Sequence, residues 1–479
     1  MKKNLKALYR ELGYLGPLDD SRPRGELEEP PPLDPAGLSQ METLLRDQPE
    51  NFLAYFRHQY QYPLADDQIR EAIAELRRAF DDPAEFVETR RKQRDTRPRG
   101  KKTKFPAQLK LYPDIEVNPD DHKFEPLGDV LGWIVNSGYY FIRDHFRITY
   151  SKAKIRLHHE FPSGFKYAMK NREGRPADPD QKISIALFSD FGTGVYHSLY
   201  IARNIAALEP DYAIHLGDVY YAGRAFEFEK YFNKPLAPVV KGARFFALNA
   251  NHEMNSGAIP YFANLETRQK IKRGWMAQEQ EGSYFCIWNQ KYQIIGIDTA
   301  YYGSGTHPNA AVNAWLGQCL REGKSQGRMN ILLSQNEPYE LGKNEFAPVY
   351  NDLKPFIQSQ LIDFWFWGNT HYCALFKKSP QAPFIGSCIG HAGHPIYKAE
   401  VEKNARRHKE QIQKGGALPE AEWVDLSPKF PERLPKAAGW KNPRPELGNH
   451  GFCMLALERN RLTLSYCDWL QQYKKDFSF

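Results

Sequence analysis

The sequence predicts an α/β protein with two packed mixed β-sheets flanked by helices and a helical extension at its N-terminus. Three observations support this prediction. From residue 182 onward, short apolar runs rich in β-branched and aromatic residues alternate with segments of helical periodicity. Polar clusters directly follow several of these runs. Ahead of them, Ile69, Ile73, Leu76 and Phe80 follow Asp66 at helical spacing. Such alternation suits two sheets with outer helices.

The N-terminal unit is predicted to span residues 1–105 and to be helical. Asp66 precedes apolar residues at helical spacing, and Asp82-Pro83 carries the signals with which a further helix begins. A proline-rich stretch at residues 21–36 predicts an extended linker. With no enzymatic motif of its own, this unit is interpreted as a surface for a protein partner.

A basic segment accounts for the net charge of +7. Residues 90–104 hold nine cations and one anion, so the rest of the chain is close to neutral. Such a segment could contact nucleic acid, and a nuclease is one function that would use it. Pro98, Gly100 and the lack of interleaved aromatic residues favour a solvated linker instead.

Residues 106–180 are predicted to connect and dock the N-terminal unit. Apolar residues between Asp129 and Phe146 have helical spacing, which predicts an amphipathic helix packed on the following domain. This helix has few cations, so a role at a membrane surface is not favoured.

The third predicted domain covers residues 181–479 and contains four apolar runs that predict buried strands. The runs are 183–188, 212–216, 245–248 and 364–367. Each leads into a polar cluster, and the side chains of interest are Asp190, Asp218, Asn251, His252 and His371. Side chains converge where such strands end, which is where α/β proteins bind ligands. Carboxylate, amide, phenol and imidazole donors gathered there predict a metal site.

An insertion is predicted near residues 397–447. It starts with a charged helix from Tyr397 to Gly415 and continues as a proline-rich stretch. Because it lies near the ends of the strands, it is interpreted as a substrate lid or a partner surface.

The ordered polar clusters resemble those of the calcineurin-like metallophosphoesterases and are most similar to the purple acid phosphatase branch. The similarity covers roughly the last 300 residues and rests on Ser189-Asp190-Phe191-Gly192, Gly217-Asp218-Val219-Tyr220-Tyr221, Asn249-Ala250-Asn251-His252-Glu253 and Gly368-Asn369-Thr370-His371. Gly192 and Tyr221 stand where this branch differs from the rest of the family.

The resemblance implies roles for individual residues. Asp190, Tyr221 and His371 would hold a first metal ion, and Asp218 would bridge two metal ions. Asn251 would be a ligand of the second. His252 would lie beside the substrate, where it would stabilise phosphoryl oxygens or protonate a leaving group.

The second metal position departs from the family pattern, because Gln335 and Asn369 replace its two histidines. Amide oxygens are neutral donors that suit Mg²⁺ or Ca²⁺ better than Zn or Fe. One divalent or trivalent ion (Fe, Mn, Zn or Mg) is therefore expected at the first position, with a second position that is weak, empty or filled by a hard cation. His391 and His394 could supply the missing imidazoles, although a structural or substrate-facing loop is the favoured interpretation.

These features favour a metal-dependent phosphoesterase that hydrolyses a phosphomonoester or a phosphodiester. The alternative is a catalytically degenerate phosphatase-like protein that acts as a binding or regulatory module. The six cysteines form no Cys-x-x-Cys pair, which argues against a zinc knuckle or a redox dithiol. No secretory signal and no membrane span are evident, so a cytoplasmic location is expected.

Overall fold

The structure is a computed structural model that describes part of the chain. The described residues are 42–43, 45–47, 66–96, 112–115, 117, 152–177, 181–270, 279–302, 309–429, 446–471 and 474–479. The chain divides into two compact units, residues 1–105 with 118–150 and residues 106–117 with 151–479. The proline-rich stretch at 21–36 and the helix predicted between Asp129 and Phe146 lie outside the described residues. The predicted domain boundaries stay predictions.

The first unit contains helices α1 (Asp66–Asp81) and α2 (Pro83–Thr96). The predicted apolar positions Ile73, Leu76 and Phe80 are buried in α1. The Asp82 side chain accepts a hydrogen bond from the Glu85 backbone at 3.0 Å, which satisfies a free N–H group at the start of α2.

The basic segment differs from the solvated linker predicted for residues 90–104. Residues 90–96 continue α2 instead. Proline disfavours the helical conformation of the residue before it, and Pro98 lies just beyond the end of this helix. Residues 97–104 lie outside the described part of the chain.

The strands of the second unit form two mixed sheets. In chain order they are β1 (Lys166–Ala168), β2 (Ile183–Phe188), β3 (Tyr212–His215), β4 (Arg244–Ala247), β5 (Phe285–Trp288), β6 (Tyr292–Gly296), β7 (Met329–Ser334), β8 (Phe364–Trp367), β9 (Cys373–Phe376), β10 (Ile385–Ile389), β11 (Ala421–Val424), β12 (Gly451–Glu458), β13 (Arg461–Asp468) and β14 (Lys474–Ser478). One sheet has the order β1-β5-β6-β7-β8-β10-β9-β11, and the other has the order β14-β13-β12-β2-β3-β4.

Helices connect most of the parallel strands. They are α3 (Tyr196–Leu208), α4 (Ala225–Glu227), α5 (Lys234–Gly242), α6 (Asn251–Met254), α7 (Ile259–Lys270), α8 (Ala310–Ser325), α9 (Pro348–Gln358) and α10 (Lys398–Gln413). A π-helical turn at Phe228–Asn233 joins α4 to α5, where the sequence predicts one helix from Arg224 to Phe232. None of the described helices is both long and apolar enough to span a membrane.

The two sheets share one hydrophobic core. Ile185 and Leu187 of β2 belong to the same buried cluster as Leu333 of β7 and Phe366 of β8. Burying apolar surface between the inner faces of two sheets is the main source of stability in such a layered fold. The predicted fold class, two mixed sheets flanked by helices, is therefore confirmed.

The parallel register places the polar clusters at the same edges of the two sheets. Phe188 of β2 pairs with His215 of β3, which pairs with Ala247 of β4, so these three strands end together. In the other sheet, Ser334 of β7 pairs with Trp367 of β8. Asp190, Asp218 and Asn251 follow the first three strands, and Gln335 and Asn369 follow the other two. The predicted insertion begins with α10, continues through β11, and leaves the described residues after position 429.

Candidate metal centre

The Tyr220 hydroxyl is the point at which three of the predicted site residues meet. Its oxygen lies 2.6 Å from Asp190 Oδ1, 3.0 Å from His371 Nε2 and 3.4 Å from Asp218 Oδ2. Asp190 Oδ1 and His371 Nε2 are themselves 3.3 Å apart. Because a hydroxyl has one hydrogen, the shortest of these contacts identifies Asp190 as its acceptor.

Left-handed backbone conformations shape the loops that carry these side chains. Asp190, Asp218, Asn369 and His371 have φ values of 60°, 72°, 66° and 56°. For residues other than glycine this region is sparsely populated, and such strain collects at functional sites where the surroundings hold it in place. The Asn369 backbone N–H donates to Asp190 Oδ2 at 3.0 Å, which ties the loop after β8 to the loop after β2.

The pKa values of the two aspartates shift in opposite directions. Burial raises the pKa of Asp190, but the hydrogen bonds from His371 and the Tyr220 hydroxyl and the charge of His371 outweigh it and hold that pKa below its usual value. Burial and the nearby carboxylates Asp190 and Glu253 raise the pKa of Asp218 well above its usual value. Two close buried carboxyls cannot both ionise cheaply, so Asp190 ionises more readily than Asp218.

Amide side chains surround the other side of Asp218. Gln335 Nε2 donates to Asp218 Oδ2 at 2.6 Å, and the His252 backbone N–H donates to Asp218 Oδ1 at 3.3 Å. Gln335 Oε1 and Asn251 Oδ1 are buried, and neither has a hydrogen-bond partner among the described residues. Asn369 differs, because its Nδ2 donates to Glu337 Oε2 at 2.8 Å.

His252 lies against the Tyr220 ring, with ring centroids 4.3 Å apart. Its Nδ1 is 2.5 Å from the Tyr221 carbonyl oxygen, so Nδ1 carries the ring proton and donates it to that oxygen. Burial lowers the pKa of His252 to about 4. The imidazole is therefore neutral near pH 7 with Nε2 as an acceptor, and it would need a second proton to act as the acid that the resemblance implies.

The loop that contains His391 and His394 separates these two side chains. The His394 ring stacks on the His371 ring, with centroids 4.0 Å apart, and its Nδ1 lies 3.2 Å from the Pro395 carbonyl oxygen. His391 instead lies against Gly451, whose N–H donates to the His391 carbonyl oxygen at 3.0 Å and where an added Cβ would lie 2.8 Å from His391 Nε2. His394 thus borders the first metal position. This arrangement supports the interpretation of a structural or substrate-facing loop.

Tyr220 and Glu337 are site residues that the sequence reasoning missed. The sequence did contain a signal for Tyr220, because two tyrosines are adjacent here and either phenol could enter the centre. Tyr221 supports the loop through its main chain, with its N–H donating to Glu227 Oε1 at 2.7 Å. Its role as a metal ligand stays a prediction. No pattern marked Glu337, which lies two residues after Gln335.

The residues at the first position fit one metal ion. Among the described residues, no group of three or more His, Cys, Asp or Glu side chains is arranged to hold a metal. Asp218, Asp190 and His371 all contact the Tyr220 oxygen, so the phenol completes the set. Donor atoms with bonds of about 2.1 Å to one ion stand roughly 3 Å apart, and the donors here are 2.6 to 3.4 Å from the Tyr220 oxygen. The second position has no imidazole at Gln335 or Asn369 and does not fit a histidine-bound transition metal.

Comparison with known proteins identifies one family match. Residues 183–373 match the family model described as calcineurin-like phosphoesterase. No curated protein matches the sequence.

Similar solved structures include a purple acid phosphatase from yellow lupin (Lupinus luteus) seeds, at 14% identity over 64% of this chain and 55% of that one, with a TM-score of 0.43. A dimetal phosphatase from Danio rerio is 8% identical over 62% of this chain and 98% of that one, with a TM-score of 0.40. A Thermus thermophilus protein is 14% identical over 45% of this chain and 93% of that one, with a TM-score of 0.31. This chain spans about half the length of the lupin protein.

Proposed function

Because residues 183–373 form a calcineurin-like phosphoesterase domain, we propose that this chain is a metal-dependent phosphoesterase that hydrolyses a phosphomonoester or a phosphodiester. The observation that carries the proposal is the convergence of Asp190, His371 and Asp218 on the Tyr220 hydroxyl. Oxygen and nitrogen donors at this spacing form a cation site, and the family to which the domain belongs implies metal ions.

Asp190, Tyr220 and His371 would hold the metal ion, with Asp218 beside it. The chemistry that a bound ion supplies here is polarisation of phosphoryl oxygens and acidification of water. The chain's own groups orient the substrate. The His252 ring is fixed by its Nδ1–H bond to the Tyr221 carbonyl, and the His252 backbone N–H donates to Asp218 Oδ1, so a phosphoryl group bound at Asp218 would lie near His252. The His394 and Tyr220 rings, 4.6 Å apart, would restrict the access of water from one side.

The proposal is tested by activity of the full chain with defined metal ions. The purified protein would be stripped of metal, supplied with Mg²⁺, Mn²⁺, Fe²⁺ or Zn²⁺, and assayed with aryl phosphomonoesters, aryl phosphodiesters, DNA and RNA. We expect hydrolysis with at least one ion and a loss of at least about 100-fold in Asp218→Asn, because the carboxylate is central to the site. Asp363→Asn is the matched control, since Asp363 pairs with Lys324 at the opposite end of β8.

Two results would contradict this function. One is the absence of turnover with every ion and substrate while the chain remains folded. The other is equal activity of wild type and Asp218→Asn.

The alternative function, a phosphatase-like binding or regulatory module, is favoured by one observation. The two side chains at the second metal position are already engaged, Gln335 with Asp218 and Asn369 with Glu337. A folded protein without turnover that still binds phosphate or a phosphopeptide in calorimetry would support this alternative. Capture of a protein by residues 1–105 would then identify what the module regulates.

A further inference from the structure

We infer that Asp218, Asn251 and Gln335 form an oxygen-only cation site that takes Mg²⁺ or Ca²⁺ and excludes Zn²⁺. This inference rests on the proposed function, because it specifies the second ion of the same centre. It concerns only residues that this chain carries. No metal ligand in it is an imidazole or a thiol.

The backbone brings the three side chains together. Asp218 follows β3, Asn251 follows β4 and Gln335 follows β7, so the site joins both sheets. A Cβ atom on Gly217 would lie 2.6 Å from Ala250 Cβ and 2.8 Å from Gln335 Cγ. These segments therefore pack directly on one another, and only glycine fits between them. As a result, the Asp218 carboxyl has one oxygen against the Asn251-His252 turn and the other against Gln335.

Two buried oxygens at this point lack a partner. Gln335 is fully buried, and its Oε1 has no hydrogen-bond donor among the described residues; the same is true of Asn251 Oδ1. Buried polar atoms are almost always satisfied, so two unsatisfied acceptors beside one carboxyl indicate a positively charged partner. The Gln335 amide has a broad terminal torsion, and a half-turn would present Oε1 where Nε2 now meets Asp218.

The donor types determine which cation fits. Carboxylate and amide oxygens are ligands for hard cations such as Mg²⁺ and Ca²⁺, whereas Zn²⁺ in proteins is held mainly by imidazole and thiolate. Asn369, the remaining residue at the second metal position, donates a hydrogen bond to Glu337. Carboxyl groups are also concentrated here, since the Asp218 N–H donates to Glu253 Oε2 at 3.2 Å and Asp190 shares the Tyr220 hydroxyl. A small divalent cation would satisfy the free oxygens and favour the ionised form of these carboxyl groups.

Calorimetric titration of the metal-stripped full chain with Mg²⁺, Ca²⁺ and Zn²⁺ tests the inference, together with the shift in unfolding temperature that each ion causes. In wild type we expect Mg²⁺ or Ca²⁺ to bind and at most one equivalent of Zn²⁺. Gln335→Leu should lower the affinity for Mg²⁺ and Ca²⁺ at least tenfold, since it removes an oxygen ligand and keeps the side-chain volume similar. Gln335→His should instead bind a second equivalent of Zn²⁺.

Two further variants keep the experiment decisive. Gln335→Glu keeps the shape and adds charge, so it should bind Ca²⁺ more tightly even if the leucine variant does not fold. Gln293→Leu is the matched control, because Gln293 is an equally buried amide whose Nε2 donates to the Cys319 carbonyl, away from the site. It should leave every ion affinity unchanged.

Binding of two Zn²⁺ equivalents by wild type would overturn the inference. Unchanged Mg²⁺ and Ca²⁺ affinity in Gln335→Leu would also overturn it, as would an equal loss in Gln293→Leu. The inference and the proposed function fail separately. If cation binding depends on Gln335 but no hydrolysis occurs, only the phosphoesterase function is refuted. If Zn²⁺ supports hydrolysis and neither Mg²⁺ nor Ca²⁺ binds, only the oxygen-only site is refuted.

Discussion

The Tyr220 hydroxyl is the residue-scale feature on which the candidate centre depends. It is buried, it donates to Asp190, and it contacts both Asp218 and His371. Tyr220→Phe should remove one hydrogen bond to Asp190 and one oxygen ligand of the metal ion. Hydrogen bonds to charged groups contribute about 1.5 to 3 kcal/mol. We therefore expect at least a tenfold loss of metal affinity, measured by titration of the stripped protein.

Tyr221→Phe is the control for this change. The Tyr221 N–H donates to Glu227 and its carbonyl oxygen accepts from His252, and the substitution keeps both groups. Metal affinity should therefore stay within about threefold of wild type. If Tyr221→Phe lowers the metal affinity and Tyr220→Phe does not, Tyr221 is the metal ligand, as the family pattern implies. The Tyr220 hydroxyl then does not bind the metal ion.

The same pair of tyrosines shows what a sequence can and cannot determine about a site. Asp190 and Asp218 could be placed near each other because strand ends determine where short loops begin. Which of two adjacent loop residues enters the centre depends on the path of the loop, and no periodicity encodes that path. Glu337 was missed for the same reason, since only the tertiary structure brings it to Asn369.

At the scale of elements, the loop between β10 and α10 packs on the loop after β2 without room for a side chain. A Cβ on Gly393 would lie 2.7 Å from the carbonyl oxygens of Asp190 and Phe191 and 2.6 Å from Ser198 Oγ. Gly393→Ala should therefore shift both loops and cost about 1 to 3 kcal/mol of stability, the usual range for overpacking. Urea unfolding measures the cost, and the proposed hydrolysis should fall with it because Asp190 and His394 move.

Gly242→Ala is the matched control for Gly393→Ala. A Cβ on Gly242 would meet only the Arg172 guanidinium, at 3.1 Å, and that side chain can move aside. Its stability should stay within about 0.5 kcal/mol of wild type. Equal stability of Gly393→Ala and Gly242→Ala would show that the loop between β10 and α10 adapts freely.

The elements that the sequence predicted well are the buried ones. Strands β2 and β8 begin and end where the apolar pattern does, since each is enclosed by other elements and its apolar residues must be continuous. The edge strands β11 and β14 went unpredicted because β11 is mostly half-buried, β14 is mostly exposed, and neither carries clear alternation. The π-helical turn at Phe228–Asn233 also has no sequence pattern of its own.

At the scale of the whole molecule, the sequence could indicate the class of the fold but not the order of its strands. Alternating strands and helices require crossovers, and crossovers produce parallel pairs such as β2 with β3. The pairing of β12 with β2 joins distant parts of the chain through backbone hydrogen bonds that any sequence can form. That pairing also places His450, which precedes β12, against His197 of α3.

These two histidines give the molecule a pH-dependent stability. His197 and His450 are buried, and their rings stack with centroids 3.6 Å apart. Burial lowers the pKa of both well below 6.5, with a further contribution from Lys429 to both and from His197 to His450. The folded chain therefore keeps them neutral, while the unfolded chain binds protons below about pH 6.5. Since the unfolded state binds more protons there, stability falls as the pH decreases through that range.

His450→Gln should reduce this loss of stability. Each neutral buried histidine contributes up to about 1.4 kcal/mol of destabilisation per pH unit below its unfolded pKa. The free energy of unfolding, measured in urea at pH 7, 6 and 5, should therefore fall less steeply in His450→Gln than in wild type. His159→Gln, which changes an exposed side chain, should keep the wild-type slope. If the curves of wild type and His450→Gln run parallel from pH 7 to pH 5, the stacked pair takes up protons without unfolding the chain, and burial does not control its charge.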